Sequence, residues 1–392
     1  MKVAFITFGE ARDIKNWSGV INKMVNLMEY KYSDVVVIDK IEKYFNPVIV
    51  FFIRMLQKLF RRSLQYERIP LLLKILSRRL ESILRLHDFN FLFSPSSIPF
   101  SYLHSKVPKV FWTDATFAIM INYYPDYYKL PAIVKDWGNK QEQLALLNVD
   151  LAIYASDWAY QSAVNDYHIS PAKVKMIPMG ANLEKSLSQT EILEIVENRL
   201  KDDTIRLLSI GTHWQRKGFD VTLQVAQEVY NMGYKVDLAL VGALPPREIK
   251  VPFGYRHYGR LSKSNPSEFE TYQRLYKEAH FFVLPSYAEC FGVVFAEASS
   301  FALPSLARRT GGIPSMVEDE VNGFTFDLNT PALDYAKKIV QFFNDKALYK
   351  QLCNKSFSKF TNELDWAKGF GLFTAAISDL VKTDSERKNK SN

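Results

Sequence analysis

Short apolar runs alternate with helix-period stretches along most of the chain. Residues 1–8 read as a buried parallel strand, followed by a loop over 9–17 and a helix over about 18–30 with Ser18 as its N-cap. Further strands are expected at 35–38, 89–93, 109–112, 151–154 and 174–178, with a tyrosine-rich loop around 123–131 leading into a helix that ends near Asn148. Residues 183–204 are polar and rich in Glu, Ser and Gln, and read as a link between domains. A second series then starts afresh: strands at 205–210, 236–241 and 281–284, and helices at 219–231, 272–279 and 291–301. A last helix over 366–382 is expected to pack back toward the first domain, and 383–392 to be a disordered tail. Alternating strands and helices imply parallel sheets covered on both faces. The expectation is an α/β chain of two doubly wound Rossmann-like domains, residues 1–182 and 205–365, facing each other across a cleft.

Composition agrees with that plan. The 392 residues are 47% hydrophobic and 23% charged, with 16 Gly and 17 Pro, which excludes disordered, collagen-like and disulfide-scaffold chains. Two cysteines, Cys290 and Cys353, make no framework and fit a reducing compartment. No stretch approaches the ~20 apolar residues of a spanning helix, and the apolar run at the start lacks a small-residue cleavage pattern. The expected location is cytoplasmic.

Charge changes the picture in one place. The segment 54–85 holds Arg54, Lys58, Arg61, Arg62, Arg68, Lys74, Arg78, Arg79 and Arg85 against Glu67 and Glu81, a net +7 of the chain's +8. Apolar positions 52/56/59/60 and 72/76/80/83 recur at helical spacing within residues 48–87, and Pro70 divides them into two amphipathic helices. Two readings are open: helices packed on the sheet with a solvated basic face, or a patch for an anionic membrane surface. No nucleic-acid signature accompanies the patch, so no nucleic-acid partner is expected.

The chemistry concentrates at strand ends. After the strand at 281–284, Pro285 and Ser286 lead to Glu289, then Phe291 and Gly292 open a helix carrying Glu297. A helix N-terminus suits a phosphate group, and the small Gly292 lets an anion approach the backbone. Glu297 can accept from vicinal ribose hydroxyls and Glu289 can reach a sugar; a bare pair of glutamates could also be chance or a cap. Arg216 and Lys217 follow another strand and precede a helix, where they could stabilise a leaving diphosphate. Asp114, just past the strand at 109–112, is open between a sugar or acceptor contact and a turn residue. No two aspartates are spaced by one residue and the histidines lack ligand spacing, so no metal and no other cofactor is expected.

The block from Pro285 to Glu297 resembles the signature of the family 4 retaining nucleotide-sugar glycosyltransferases, which have the GT-B fold. Gly311, Gly312, Ile313 and Pro314, the Asn322-Gly323 turn, Lys217-Gly218 and the segment 177–182 resemble further motifs of that family. Where the family often has Arg after the glycine at 211, this chain has Thr212, which passes that role to Arg216. The resemblance implies catalytic roles for Arg216, Lys217 and Glu289, and Asp114 is the further catalytic candidate from its place after a strand. It implies donor-binding roles for Ser18, Gly19, Gly211, Thr212, Phe291, Gly292, Val293 and Glu297. The implied activity is metal-independent, retaining transfer of a sugar (a hexosyltransferase) from a nucleoside-diphosphate sugar such as a UDP-sugar. The acceptor would be a glycan, lipid-linked or cell-envelope molecule held by the first domain. A nucleotide-sugar epimerase, a phosphorylase, or an inactive glycan-binding partner subunit on the same plan are the alternatives.

Overall fold

The computed structural model describes residues 1–45, 47–60, 64–183 and 187–391. The chain divides into two units, one of Met1–Pro178 with the residues from Phe370 on, the other Met179–Gly369. Each is built on a six-stranded parallel sheet.

In the first unit the strands are β1 (Lys2–Ile6), β2 (Asp34–Ile38), β3 (Phe91–Ser94), β4 (Lys109–Thr113), β5 (Leu151–Tyr154) and β6 (Val174–Met176), in the order β2-β1-β3-β4-β5-β6. The chain runs from β1 to one side and returns to β3 on the other, so the topological switch lies between β1 and β3. Strands β3 and β5 are buried at every residue, as apolar runs covered on both faces must be. Pro70 occupies the first turn of the helix Pro70–Leu84, where its missing N–H is harmless, and Leu72, Leu76 and Leu80 of that helix are buried. The other basic helix is Pro47–Phe60; Arg61 and Arg62 lie outside the described residues, as do the side chains at 56, 59 and 60.

Ser18 is not an N-cap. Trp17, Ser18 and Gly19 all have positive φ (47°, 54° and 84°), and the helix Val20–Lys31 begins only after Gly19, which caps it in the left-handed region. A serine caps from extended backbone; this loop after β1 turns too tightly for that. The last helix runs Trp366–Ser391, through the segment expected as a disordered tail. Extending a formed helix needs no new nucleus, so polar composition alone does not end it. Its Phe373 ring stacks on Trp112 at 5.7 Å.

In the second unit the strands are β7 (Thr204–Gly211), β8 (Lys235–Gly242), β9 (Gly254–His257), β10 (Phe281–Leu284), β11 (Ser305–Arg308) and β12 (Gly323–Phe326), in the order β12-β11-β10-β7-β8-β9. The switch point here lies between β7 and β10. The segment expected as a link is mostly the helix Gln189–Lys201, with a capping box between Ser188 and Glu191. Its buried positions Ile192, Val196 and Arg199 fall on one face, so it is part of the second unit's core and not a tether.

His280, at the start of β10, is buried between two backbone groups. Its Nδ1 accepts from Arg206 N–H at 3.1 Å and its Nε2 donates to Arg199 O at 2.9 Å. Burial, chiefly, pushes its pKa down from 6.5 to about 4. The unfolded chain therefore binds more protons between those values, and His280 contributes stability above pH 6.5 that is lost as pH falls toward 4. That loss should amount to about 3 kcal/mol. Urea titrations at both pH values should show a smaller acid loss for His280→Gln than for the wild type; equal losses would refute the assignment.

Candidate functional site

The best-defined chemistry gathers at the switch point of the second sheet, where the loops after β7 and β10 leave adjacent strands in the same direction. After β7 comes a short helix, Trp214–Lys217, ended by Gly218 at φ 71°. Only glycine fits there, because a Cβ at Gly218 would stand 2.2 Å from Pro285 O. After β10 the loop 285–292 presents Glu289 and enters the helix Val293–Ser300 through Gly292 at φ 84°.

Three contacts stitch the two loops. Tyr287 N–H donates to Arg216 O at 2.8 Å, the Arg216 guanidinium donates to Ala288 O at 2.9 Å, and the Lys217 ammonium pairs with Glu289 Oε2. Arg216 Nη1 also stands 3.8 Å from the same carboxylate oxygen. Lys217 is only 7% exposed, and its stem lies so close to Gly211 that a Cβ there would come within 2.6 Å of Lys217 Cγ. The loop 310–312 closes the ring, Gly312 N–H donating to Glu289 O at 3.0 Å. Arg308 braces it from beside, donating to Pro285 O at 3.0 Å with its guanidinium 3.8 Å from the Tyr287 ring centre.

The structure thus brings Arg216, Lys217 and Glu289 into contact, with Gly211 and Gly292 against them. Phe291 is buried, Val293 half-buried in the first turn of its helix, and Thr212 exposed beside Gly211. Glu297 sits one turn deeper and is 1% exposed. Its Oε1 pairs with the Lys263 ammonium; its Oε2 accepts from Tyr272 OH at 2.6 Å and Tyr276 OH at 3.4 Å. Burial first, and the Glu297 charge second, hold both tyrosines well above the usual phenol pKa, so they remain donors. Lys263 also donates to Asn182 O at 3.0 Å. These three partners of Glu297 had no sequence signal: they lie 21 to 34 residues upstream, on the helix Pro266–Glu278 and the loop before it.

Ser18, Gly19 and Asp114 belong to the first unit. Ser18 and Gly19 lie in the loop after β1, beside that sheet's own switch point, and Asp114 is half-buried immediately after β4. Among the described residues no group of three or more His, Cys, Asp or Glu is gathered as a metal site.

Residues 204–345 match the family model described as Glycosyl transferases group 1. A D-inositol 3-phosphate glycosyltransferase of Thermobifida fusca is 28% identical over 201 residues, covering 48% of this chain and 45% of its own. A second enzyme of that name, from Corynebacterium diphtheriae, is 26% identical over 62% of this chain and 59% of its own. The chain spans about half the length of the curated relatives it matches. The likeness in fold extends along nearly the whole chain. A glycosyltransferase of Rickettsia africae superposes with TM-score 0.65 at 13% identity, over 97% of this chain and 99% of the other. Anabaena HepE, solved with UDP and glucose, superposes with TM-score 0.63 at 14% identity, over 96% and 99%. The pair of Rossmann-like sheets is the GT-B fold expected from the sequence.

Proposed function

Because residues 204–345 match the Glycosyl transferases group 1 family model, we propose that the protein is a retaining, metal-independent hexosyltransferase using a nucleoside-diphosphate sugar. One observation carries the reading: Arg216 and Lys217 converge with Glu289 at the switch point of the second sheet, the place where open α/β sheets bind nucleotides. That Anabaena HepE was solved with UDP and glucose favours a UDP-sugar.

In this reading the diphosphate lies over Gly211, Thr212 and the helix opened by Gly292, with Phe291 and Val293 beside it. The amides of that helix end and the two cations meet its charge. Glu297 takes the ribose hydroxyls through Oε1, which has a lone pair beyond the one used by Lys263, while Oε2 is filled by Tyr272 and Tyr276. As the bond from the sugar's anomeric carbon to the diphosphate oxygen breaks, the electron pair stays on the diphosphate. Arg216 and Lys217 stabilise that growing charge. The acceptor oxygen bonds the same face of the sugar, and its proton passes to the departing phosphate oxygen. Glu289 orients Lys217 and the sugar. Ser18 and Gly19 are assigned to the donor phosphates. Asp114 is assigned to the acceptor hydroxyl, on a glycan, lipid-linked or envelope molecule, for which the first unit is the proposed holder.

Calorimetric titration with UDP and UDP-glucose in EDTA tests this. Binding is expected, weakened about tenfold or more in Glu297→Gln, because a neutral amide accepts less strongly and presents a donor edge. If neither UDP nor the other nucleoside diphosphates bind, the reading fails; binding that requires a divalent cation removes metal independence.

A further inference from the structure

The helix Pro47–Phe60 turns its apolar face outward. Val48, Phe51, Phe52 and Met55 stand at i, i+3, i+4 and i+7 and are 59%, 65%, 53% and 47% exposed. On the opposite side Val50 and Ile53 pack, half-buried, on the core that holds Leu72, Leu76 and Leu80. Of the two readings left open by the sequence, this outward face favours the surface patch: Phe51 and Phe52 face solvent. Phe51 and Phe52 meet edge to face at 6.0 Å, forming one continuous ridge. Soluble surfaces rarely leave such a row uncovered.

The charge of this segment points to what covers it. Lys58 lies on the same helix, and Lys74, Arg78, Arg79 and Arg85 are exposed on or just beyond Pro70–Leu84. Arg54 is held locally, its guanidinium 5.5 Å from the Tyr66 ring centre and bonded to Tyr66 OH at 3.4 Å. Among the described residues from 47 to 85 the two carboxylates, Glu67 and Glu81, are both half-buried, and Glu81 accepts from His104 N–H at 2.9 Å. A second copy of the chain is a poor occupant, since a two-fold interface would press the same cations together. A helix of this length, 14 residues, is too short to span a bilayer. It matches an in-plane helix, with apolar side chains at the acyl boundary and cations among headgroups.

We propose that the helix Pro47–Phe60 is a membrane-surface anchor, inserting Phe51, Phe52 and Met55 into an anionic leaflet while Lys58, Lys74, Arg78 and Arg79 bind its headgroups. The anchor does not depend on the catalytic reading, because none of these residues belongs to the second unit.

Cosedimentation of the full chain with vesicles of equal parts phosphatidylglycerol and phosphatidylcholine, and with phosphatidylcholine alone, tests it. The wild type should pellet with the anionic vesicles, and added salt should weaken this. Phe51→Ser/Phe52→Ser should lower partitioning about tenfold or more at every salt concentration. Arg78→Gln/Arg79→Gln should lower it about tenfold or more at low salt only. All four sites are exposed, so thermal midpoints should match the wild type and show the variants folded. Recovery of wild type in the supernatant with both vesicle types would overturn the proposal, as would equal pelleting of the phenylalanine variant. A lipid-free dimer abolished by that variant, with no vesicle binding, would assign the ridge to self-association instead. Loss of vesicle binding would leave nucleotide binding untouched, so the two readings fail separately.

Discussion

Lys217→Ala should lower the turnover of sugar transfer about a hundredfold or more, with a much smaller change in the donor's KM. The ammonium is buried, fixed by Glu289 and crowded against Gly211, so its charge is in position before any reaction begins. Charge on a departing diphosphate grows as the bond breaks. A preset cation therefore stabilises the transition state more than the bound donor, and its loss falls on kcat. Alanine also leaves the Glu289 carboxylate short of one partner, although Arg216 remains 3.8 Å away. The thermal midpoint of the variant must therefore be read beside its rate. Glu289→Gln separates the two effects, since it keeps the shape and frees Lys217 from its partner. Steady-state kinetics with donor and acceptor decide the matter: a Lys217→Ala enzyme that folds and keeps its kcat has no cation working on the leaving group.

Arg199→Met should cost the second unit about 3–5 kcal/mol. The side chain is 3% exposed and donates to four carbonyls: Tyr276 O at 2.8 Å, Lys277 O at 3.0 Å, Phe301 O at 2.9 Å and Ala302 O at 2.8 Å. The first two end the helix Pro266–Glu278, and the last two follow the helix Val293–Ser300. These carbonyls have no successor N–H in their own helices, and the negative ends of two helix dipoles meet the guanidinium. Methionine fills the volume but leaves the acceptors without donors in a site with little room for water. Lysine should rescue only partly, because one ammonium cannot match a planar fork that spans two helix ends. Urea unfolding with a well-resolved second-unit transition measures it; a loss below about 1 kcal/mol would mean that the carbonyls find water or each other's amides. Since the second of these helices carries Glu297 and begins at Gly292, this arginine also holds the proposed donor site in shape.

Much of the second unit was legible from residue order. The helix Phe219–Asn231 and strand Phe281–Leu284 have the bounds that periodicity sets, because each buries one clear stripe or both faces. Strand β9, Gly254–His257, was not legible: it is an edge strand, alternates half-buried with exposed residues and includes a glycine and an arginine. Strand β11 ends in Arg308, whose burial depends on Pro285 O and the Tyr287 ring, partners remote in sequence. The helix Gln189–Lys201 looked like a tether because its charges dominate its composition. Its capping residues Ser188 and Glu191 were the signal that could have found it.

The catalytic candidates divide the same way. Residue order was enough to expect Arg216, Lys217 and Glu289 near one edge of the second sheet, because loops that follow parallel strands deliver their side chains there, and the structure brings these three together. Residue order could not show that Lys217 pairs with Glu289, or that Lys263, Tyr272 and Tyr276 surround Glu297, since those pairings depend on distances between separate loops and helices. The same holds for the basic helices: their amphipathic period is local, but which face of Pro47–Phe60 meets the core was decided by the neighbours it packs on. Local order sets element type through backbone geometry and apolar spacing. Direction, pairing and exposure arise only when the elements compete for the same core.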